Sequence, residues 1–184
     1  KDVNGIVWTW HKEFKKFEGR MWNSYQMAIG HNRAATKGTV IAENAHPFQD
    51  GRITLVHNGT IWNQQALKAD VEVDSMAIAH ALNSDDENAA KALESIDGPF
   101  ALVWYDNVAK TLNLARNDIA GGRPLSYIET DNSFIIVSEQ ALAFWIALRH
   151  KIKPSKYEVV PTKKIVQFDL TDIRSGPKLI DYKD

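Results

Sequence analysis

Residues 98–137 read GPFALVWYDNVAKTLNLARNDIAGGRPLSYIETDNSFIIV. Four short runs in this stretch, residues 100–105, 111–115, 124–128 and 133–137, are rich in β-branched, aromatic and leucine side chains and read as strands. Turn formers separate them: Asp106-Asn107, Asn117-Asp118, Gly121-Gly122 and Asp131-Asn132. No helix-length segment intervenes. Strands that follow one another in groups, rather than alternating with helices, point to an α+β fold with mainly antiparallel sheets.

Working outward, the periodicity changes on both sides. Upstream, Asp74 precedes SMAIAHAL, with Ile78, Ala79 and Leu82 at helical spacing, and residues 87–96 repeat apolar positions at three and four. Further upstream, residues 52–57 (RITLVH) alternate, residues 5–10 (GIVWTW) resemble a buried strand, and residues 25–29 form a β-like run entering the GHNR turn. Downstream, residues 139–148 (EQALAFWIAL) form an apolar helical run and residues 164–170 a last strand. Several strands are apolar on both faces, which predicts stacked sheets covered by helices.

The bulk properties fit one domain spanning residues 1–184. Hydrophobic residues make up 44% and charged residues 24%, near the globular average, and six Trp, seven Phe and five Tyr supply a substantial core. A net charge of -1 and a pI near 6.7 argue against nucleic-acid binding. The basic run at Lys12, Lys15, Lys16 and Arg20 is interrupted by Glu13 and Glu18 and reads as a solvated face. No apolar run approaches the ~20 residues of a membrane span, and residues 1–10 lack a signal-peptide pattern, so a cytoplasmic protein is expected. The absence of cysteine excludes disulfides and thiolate metal sites. The closing DYKD matches the start of a common epitope tag and is given no structural weight.

Chemistry concentrates in residues 30–59. GHNRAATKG, NAHPF and LVHNG bring Arg33, His31, His46, His57 and the Asn58-Gly59 pair into one short stretch. A guanidinium can grip a small carboxylate through two parallel hydrogen bonds. A carboxylate such as Asp74 suits an ammonium, and donors aimed at a tetrahedral oxyanion are worth about 2.7–4 kcal/mol each. Each residue has a plainer reading. Asn58-Gly59 between apolar residues is a strong type I′ hairpin signal, Asp74 can cap a helix, and Arg33 can form a surface ion pair. The histidines lack HxxxH spacing, so no metal site is expected, and no Gly-rich phosphate loop is found. The glycosylation sequon at Asn58 is discounted, because nothing indicates secretion.

Seven blocks, GHNRAATKG, NAHPF, LVHNGTIWN, VDSMAIAHAL, GPFALVWYD, LARNDIAGGRPLSY and VSEQAL, occur in an order that resembles the glutaminase domain of class II glutamine amidotransferases. These are N-terminal-nucleophile hydrolases, and the resemblance runs from about Asp2 to about Leu170. It implies a four-layer αββα sandwich with two mainly antiparallel sheets, and hydrolysis of L-glutamine to glutamate and ammonia without a cofactor. By the same resemblance, Arg33 holds the substrate α-carboxylate and Thr36 completes that cradle. Asn58 and Gly59 form the oxyanion pair, Asp74 binds the α-ammonium, and His46 lines or braces the site. Arg116, Asp118, Arg123 and Pro124 are expected to be structural. The expected partners are L-glutamine and a separate synthase domain or subunit that accepts ammonia, with no nucleic acid and no membrane; a homo-oligomer stays open.

Two features depart from the family. Its nucleophile is a cysteine at the mature N-terminus, whose own α-amine serves as base; Lys1 offers neither thiol nor hydroxyl. DVNGI at residues 2–6 resembles the segment that normally lies a few dozen residues after that cysteine, so the chain is expected to start beyond its nucleophile and to be inactive alone. Ala34 and Lys37 stand where sugar-phosphate amidotransferases usually show tryptophan and histidine, which speaks against a glucosamine-6-phosphate synthase. The competing readings are a non-catalytic glutamine- or glutamate-binding or structural domain of the same fold, and an N-terminal-nucleophile amidohydrolase with another amide substrate.

Overall fold

A computed structural model describes residues 27–31, 41, 44–84, 88–131 and 133–182. The strand expected at residues 5–10, the basic run, and Arg33, Ala34, Thr36 and Lys37 lie outside the described residues. Among the described residues there are nine strands: β1 (Phe48–Asp50), β2 (Ile53–Gly59), β3 (Phe100–Asp106), β4 (Thr111–Arg116), β5 (Ser126–Thr130), β6 (Phe134–Val137), β7 (Pro154–Val159), β8 (Lys164–Asp169) and β9 (Lys178–Asp181). Four helices accompany them: α1 (Gln64–Leu67), α2 (Asp74–Ser84), α3 (Ala89–Glu94) and α4 (Gln140–Arg149). Asn88 starts α3 by accepting from Lys91 N–H at 3.3 Å, which meets one of the amides a helix start leaves unsatisfied.

The described strands form two sheets, both antiparallel, in the orders β1-β2-β3-β4-β8-β9 and β6-β5-β7. The short turns read from the sequence account for the direct returns β3–β4 and β5–β6.

Successive side chains of a strand point to opposite faces, so a strand apolar throughout must be covered on both. In β3, Phe100, Leu102 and Trp104 pack with Ile78, Ala79 and Leu82 of α2 and Leu93 of α3. Ala101, Val103 and Tyr105 pack instead with Tyr127 of β5 and with Val166 and Phe168 of β8. The far face of the smaller sheet sends Ile128 and Val137 against Ala143 of α4. The layers therefore run α2 and α3, six-stranded sheet, three-stranded sheet, α4. This is the expected α+β sandwich with two mainly antiparallel sheets flanked by helices.

Several expectations change in detail. Asn58-Gly59 is not a hairpin turn. Both residues belong to β2 and pair with Ala101 and Phe100 of β3, some forty residues later. The first two residues of the closing DYKD do carry structure: Asp181 pairs with Lys164 across β8 and β9, and Tyr182 is buried against Phe100. The Tyr182 hydroxyl donates to Arg116 O at 2.9 Å. Residues 27–31 form no regular element, although Met27 and Ile29 pack against the inter-sheet core. β1, β7, β9 and α1 were not expected.

Candidate active site

A cleft of about 580 Å³ opens between the two sheets beside the end of β2. One wall is polar and carries His46, Asn58, Gly59, Asp74 and Ser75. The opposite wall is apolar, built from Leu125, Ile135, Val137 and, on α4, Leu142 and Ile146. The strand alternation explains the polar wall. Ile53 and Leu55 of β2 face the helices, His57 follows in that register, and Asn58 lies on the other face, exposed toward the cleft.

Asp74 is the first residue of α2 and is 4% exposed. Its Oδ2 accepts from Ile61 N–H at 3.1 Å, and its Oδ1 lies 4.0 Å from His57 Nδ1. Expected as a helix cap or a ligand, Asp74 also ties the helix start to the chain leaving β2. An ionised carboxylate offers about four acceptor positions, so these contacts leave capacity for a ligand.

Ser75 was not singled out by sequence reasoning, yet its hydroxyl joins two histidines. Its Oγ lies 3.0 Å from His57 Nδ1 and 3.1 Å from His46 Nε2, with all three residues buried. A hydroxyl has one proton to donate, so at least one of the two imidazole nitrogens must donate to it. The nearby Asp74 carboxylate favours a proton on His57 Nδ1, which lets Ser75 donate onward to His46 Nε2. His46 also packs against His31, ring centroids 4.0 Å apart, and edge-on against Phe48. The signal for Ser75 was its place next to Asp74 at a helix start, where serine is ordinary.

Gly59 sits where no other residue fits. Its φ is +151°, and a Cβ there would lie 2.1 Å from Pro99 O and 2.7 Å from His57 Nε2. The structure thus brings Asn58, Gly59, Asp74 and His46 to one cleft. Pro124 also lines it. Arg116 is set apart, with its guanidinium donating to Val160 O at 2.6 Å and Arg123 O at 3.4 Å, which ties the end of β4 to the residue after β7 and to the loop before β5. Among the described residues no cluster of His, Asp and Glu could hold a metal ion, and no helix is long and apolar enough to cross a membrane.

Comparison with known proteins gives the same fold from independent directions. A family model described as a glutamine amidotransferase domain matches residues 18–173. The chain is 29% identical over 176 residues to a glutamine–fructose-6-phosphate aminotransferase (isomerizing) of Staphylococcus epidermidis, covering 86% of this chain and 28% of that protein. It is 31% identical over 126 residues to a putative glutamine-hydrolyzing asparagine synthetase of Methanocaldococcus jannaschii, covering 65% of this chain and 22% of that protein. The chain therefore spans only about a quarter of the length of these relatives. Among solved structures, a glutamine phosphoribosylpyrophosphate amidotransferase from B. subtilis superposes with a TM-score of 0.62 at 20% identity, covering 83% of this chain and 34% of that one. A glutamine aminotransferase class-II domain protein from Silicibacter pomeroyi superposes with a TM-score of 0.53 at 16% identity, covering 76% and 72%. With 156 of its residues matched by the family model and the αββα layers in place, this cysteine-free chain belongs to the glutamine amidotransferase domain family, in its class II, N-terminal-nucleophile-hydrolase-like form.

Proposed function

We propose that this domain binds L-glutamine in the cleft and hydrolyses it to glutamate and ammonia, using a cysteine thiol supplied from outside these 184 residues. The observation that carries this reading is the convergence of Asn58, Gly59 and Asp74 on one wall of a single cleft. Asp74 takes the substrate α-ammonium as a charge-assisted acceptor, and Arg33 with Thr36 takes the α-carboxylate. His46, through Ser75, braces the His57 and Asp74 side of the site.

The thiolate adds to the side-chain amide carbon, and the carbonyl oxygen becomes an oxyanion facing the Asn58 amide and the Gly59 N–H. Collapse expels the nitrogen as ammonia, which takes the proton that the thiol gave up to the cysteine's own α-amine, and forms a thioester. Water then adds to the thioester carbon and releases glutamate and the thiol. The net change is glutamine plus water to glutamate plus ammonia, and the ammonia passes to a synthase domain or subunit. Relatives named for fructose 6-phosphate and for asparagine synthesis share this domain while their acceptors differ, so the acceptor is set elsewhere.

Zero cysteines among the 184 residues also favours a second reading, a domain of this fold that binds glutamine or glutamate without hydrolysing it. One experiment separates them. The full-length protein should release glutamate from glutamine, and a cysteine-alkylating glutamine analogue should abolish this. Glutamine binding without turnover would establish the second reading. Arg33→Ala should raise the glutamine KM by the equivalent of about 2–5 kcal/mol, as a charge-assisted anchor is lost; an unchanged KM would remove Arg33 from the carboxylate site.

A further inference from the structure

We infer that Asn117 is a positioning residue for the Asn58-Gly59 pair, acting through the segment that precedes β3; the inference rests on the oxyanion role proposed above. Asn117 follows β4 and makes no contribution to the cleft wall. Its side chain and backbone make three hydrogen bonds to one short segment. Asn117 Oδ1 accepts from Phe100 N–H at 3.1 Å, its Nδ2 donates to Gly98 O at 2.8 Å, and its backbone N–H donates to Phe100 O at 3.1 Å.

That segment in turn sets the end of β2. Gly59 pairs with Phe100, Thr60 N–H donates to Pro99 O at 3.1 Å, and Trp62 N–H donates to Asp97 O at 2.7 Å. Contact is close on both sides. A Cβ on Gly59 would meet Pro99 O at 2.1 Å, and one on Gly98, at φ +126°, would meet Thr60 O at 2.5 Å. Two backbones pressed together this tightly move as a unit, because neither has room to shift alone. Ile61, between the two ladder bonds, donates to Asp74 Oδ2 at 3.1 Å. The amide of Asn117 therefore holds the proposed oxyanion donors and, through Ile61 two residues beyond Gly59, the proposed ammonium-binding carboxylate. An asparagine suits this task, since one side chain supplies both the acceptor for Phe100 N–H and the donor for Gly98 O.

The remote end of the same segment provides a matched control. Asn63 Oδ1 accepts from Asp97 N–H at 3.0 Å and its Nδ2 donates to Ser95 O at 2.7 Å. Asn117→Ala and Asn63→Ala each delete two side-chain hydrogen bonds to this strap, but only the first frees the part facing Gly59. In the full-length protein, Asn117→Ala should lower kcat for glutamine hydrolysis about tenfold or more, with KM changed less than about threefold, because misplaced donors cost transition-state stabilisation first. Asn63→Ala should keep kcat within about twofold while losing comparable thermal stability. Asn117→Ser, which still presents an acceptor, is the milder variant should the alanine protein fail to fold. Amide exchange at Thr60, followed by NMR, should accelerate in the Asn117 variant and not in Asn63→Ala.

Equal kcat losses in the two variants, tracking stability, would overturn the inference, as would a wild-type kcat in folded Asn117→Ala. Should wild-type protein show no glutamine turnover, the oxyanion reading falls, and Thr60 exchange alone decides whether Asn117 positions the end of β2. Unchanged exchange there refutes the positioning role in either case.

Discussion

Replacing Gly59 by alanine tests the site and the fold together. The new Cβ would stand 2.1 Å from Pro99 O and 2.9 Å from Phe100 Cα, both backbone atoms, and contacts under 3.0 Å are essentially never tolerated. The β2 and β3 backbones must therefore separate by roughly 1 Å at the point where the oxyanion donors are proposed to lie; a misplacement of that size can cost about 10²-fold in rate. A factor of 100 corresponds to about 2.7 kcal/mol of lost transition-state stabilisation. The φ of +151° adds a conformational penalty, about 1–3 kcal/mol for a residue with a side chain. Gly121→Ala is the control: it shares a positive φ, +82°, but nothing lies within 4 Å of its Cβ. Steady-state glutaminase kinetics on the full-length variants, with urea denaturation, separate the two effects. Gly59→Ala should lose both rate and stability, whereas Gly121→Ala should lose only stability. A Gly59→Ala protein with near-wild-type kcat would show that the Gly59 amide is not an oxyanion donor.

Two further substitutions probe the core and the buried polar network. Tyr182→Phe removes the bond to Arg116 O and should cost about 0.5–1.5 kcal/mol in denaturant unfolding. Burial holds the Tyr182 hydroxyl up at about 12, against 10.0 ordinarily. The folded state thus keeps a proton that the unfolded chain gives up, so this stabilisation is full below pH 10.0 and is lost as pH rises toward about 12. Stability measured across that window should fall less steeply in Tyr182→Phe; parallel pH profiles would show that the hydroxyl does not titrate as described. Ser75→Ala leaves His46 Nε2 and His57 Nδ1 without the hydroxyl between them, and should destabilise by about 1–3 kcal/mol. An unchanged melting temperature would mean that the two imidazoles are held by other contacts.

The sequence by itself determined the layers. Runs such as FALVWY cannot expose either face to water, and the turn residues between them permit only direct antiparallel return, so stacked sheets with helical covers followed from local chemistry. The family blocks were equally legible, because each is a contiguous string. The weaker elements were not. β1 and β9 are short strands at the two ends of the six-stranded order among the described residues, and β9 is exposed throughout, so neither carries an apolar alternation to betray it. The meaning of Asn58-Gly59 was also out of reach: the dipeptide that elsewhere makes a turn is here straightened into β2 by its ladder to β3. Local propensity yields to a partner some forty residues away, and no window of sequence contains both.

Tertiary structure alone decided which polar residues meet. Asp74 reads as a helix start, Ser75 as its neighbour and Asn117 as a turn residue; folding makes the first a carboxylate bonded to Ile61, the second a bridge between two histidines, and the third a clamp on Gly98 and Phe100. Side-chain type and spacing set what each group can donate or accept. Which donor finds which acceptor depends on strand register and sheet stacking, and these arise from burial summed over the whole chain.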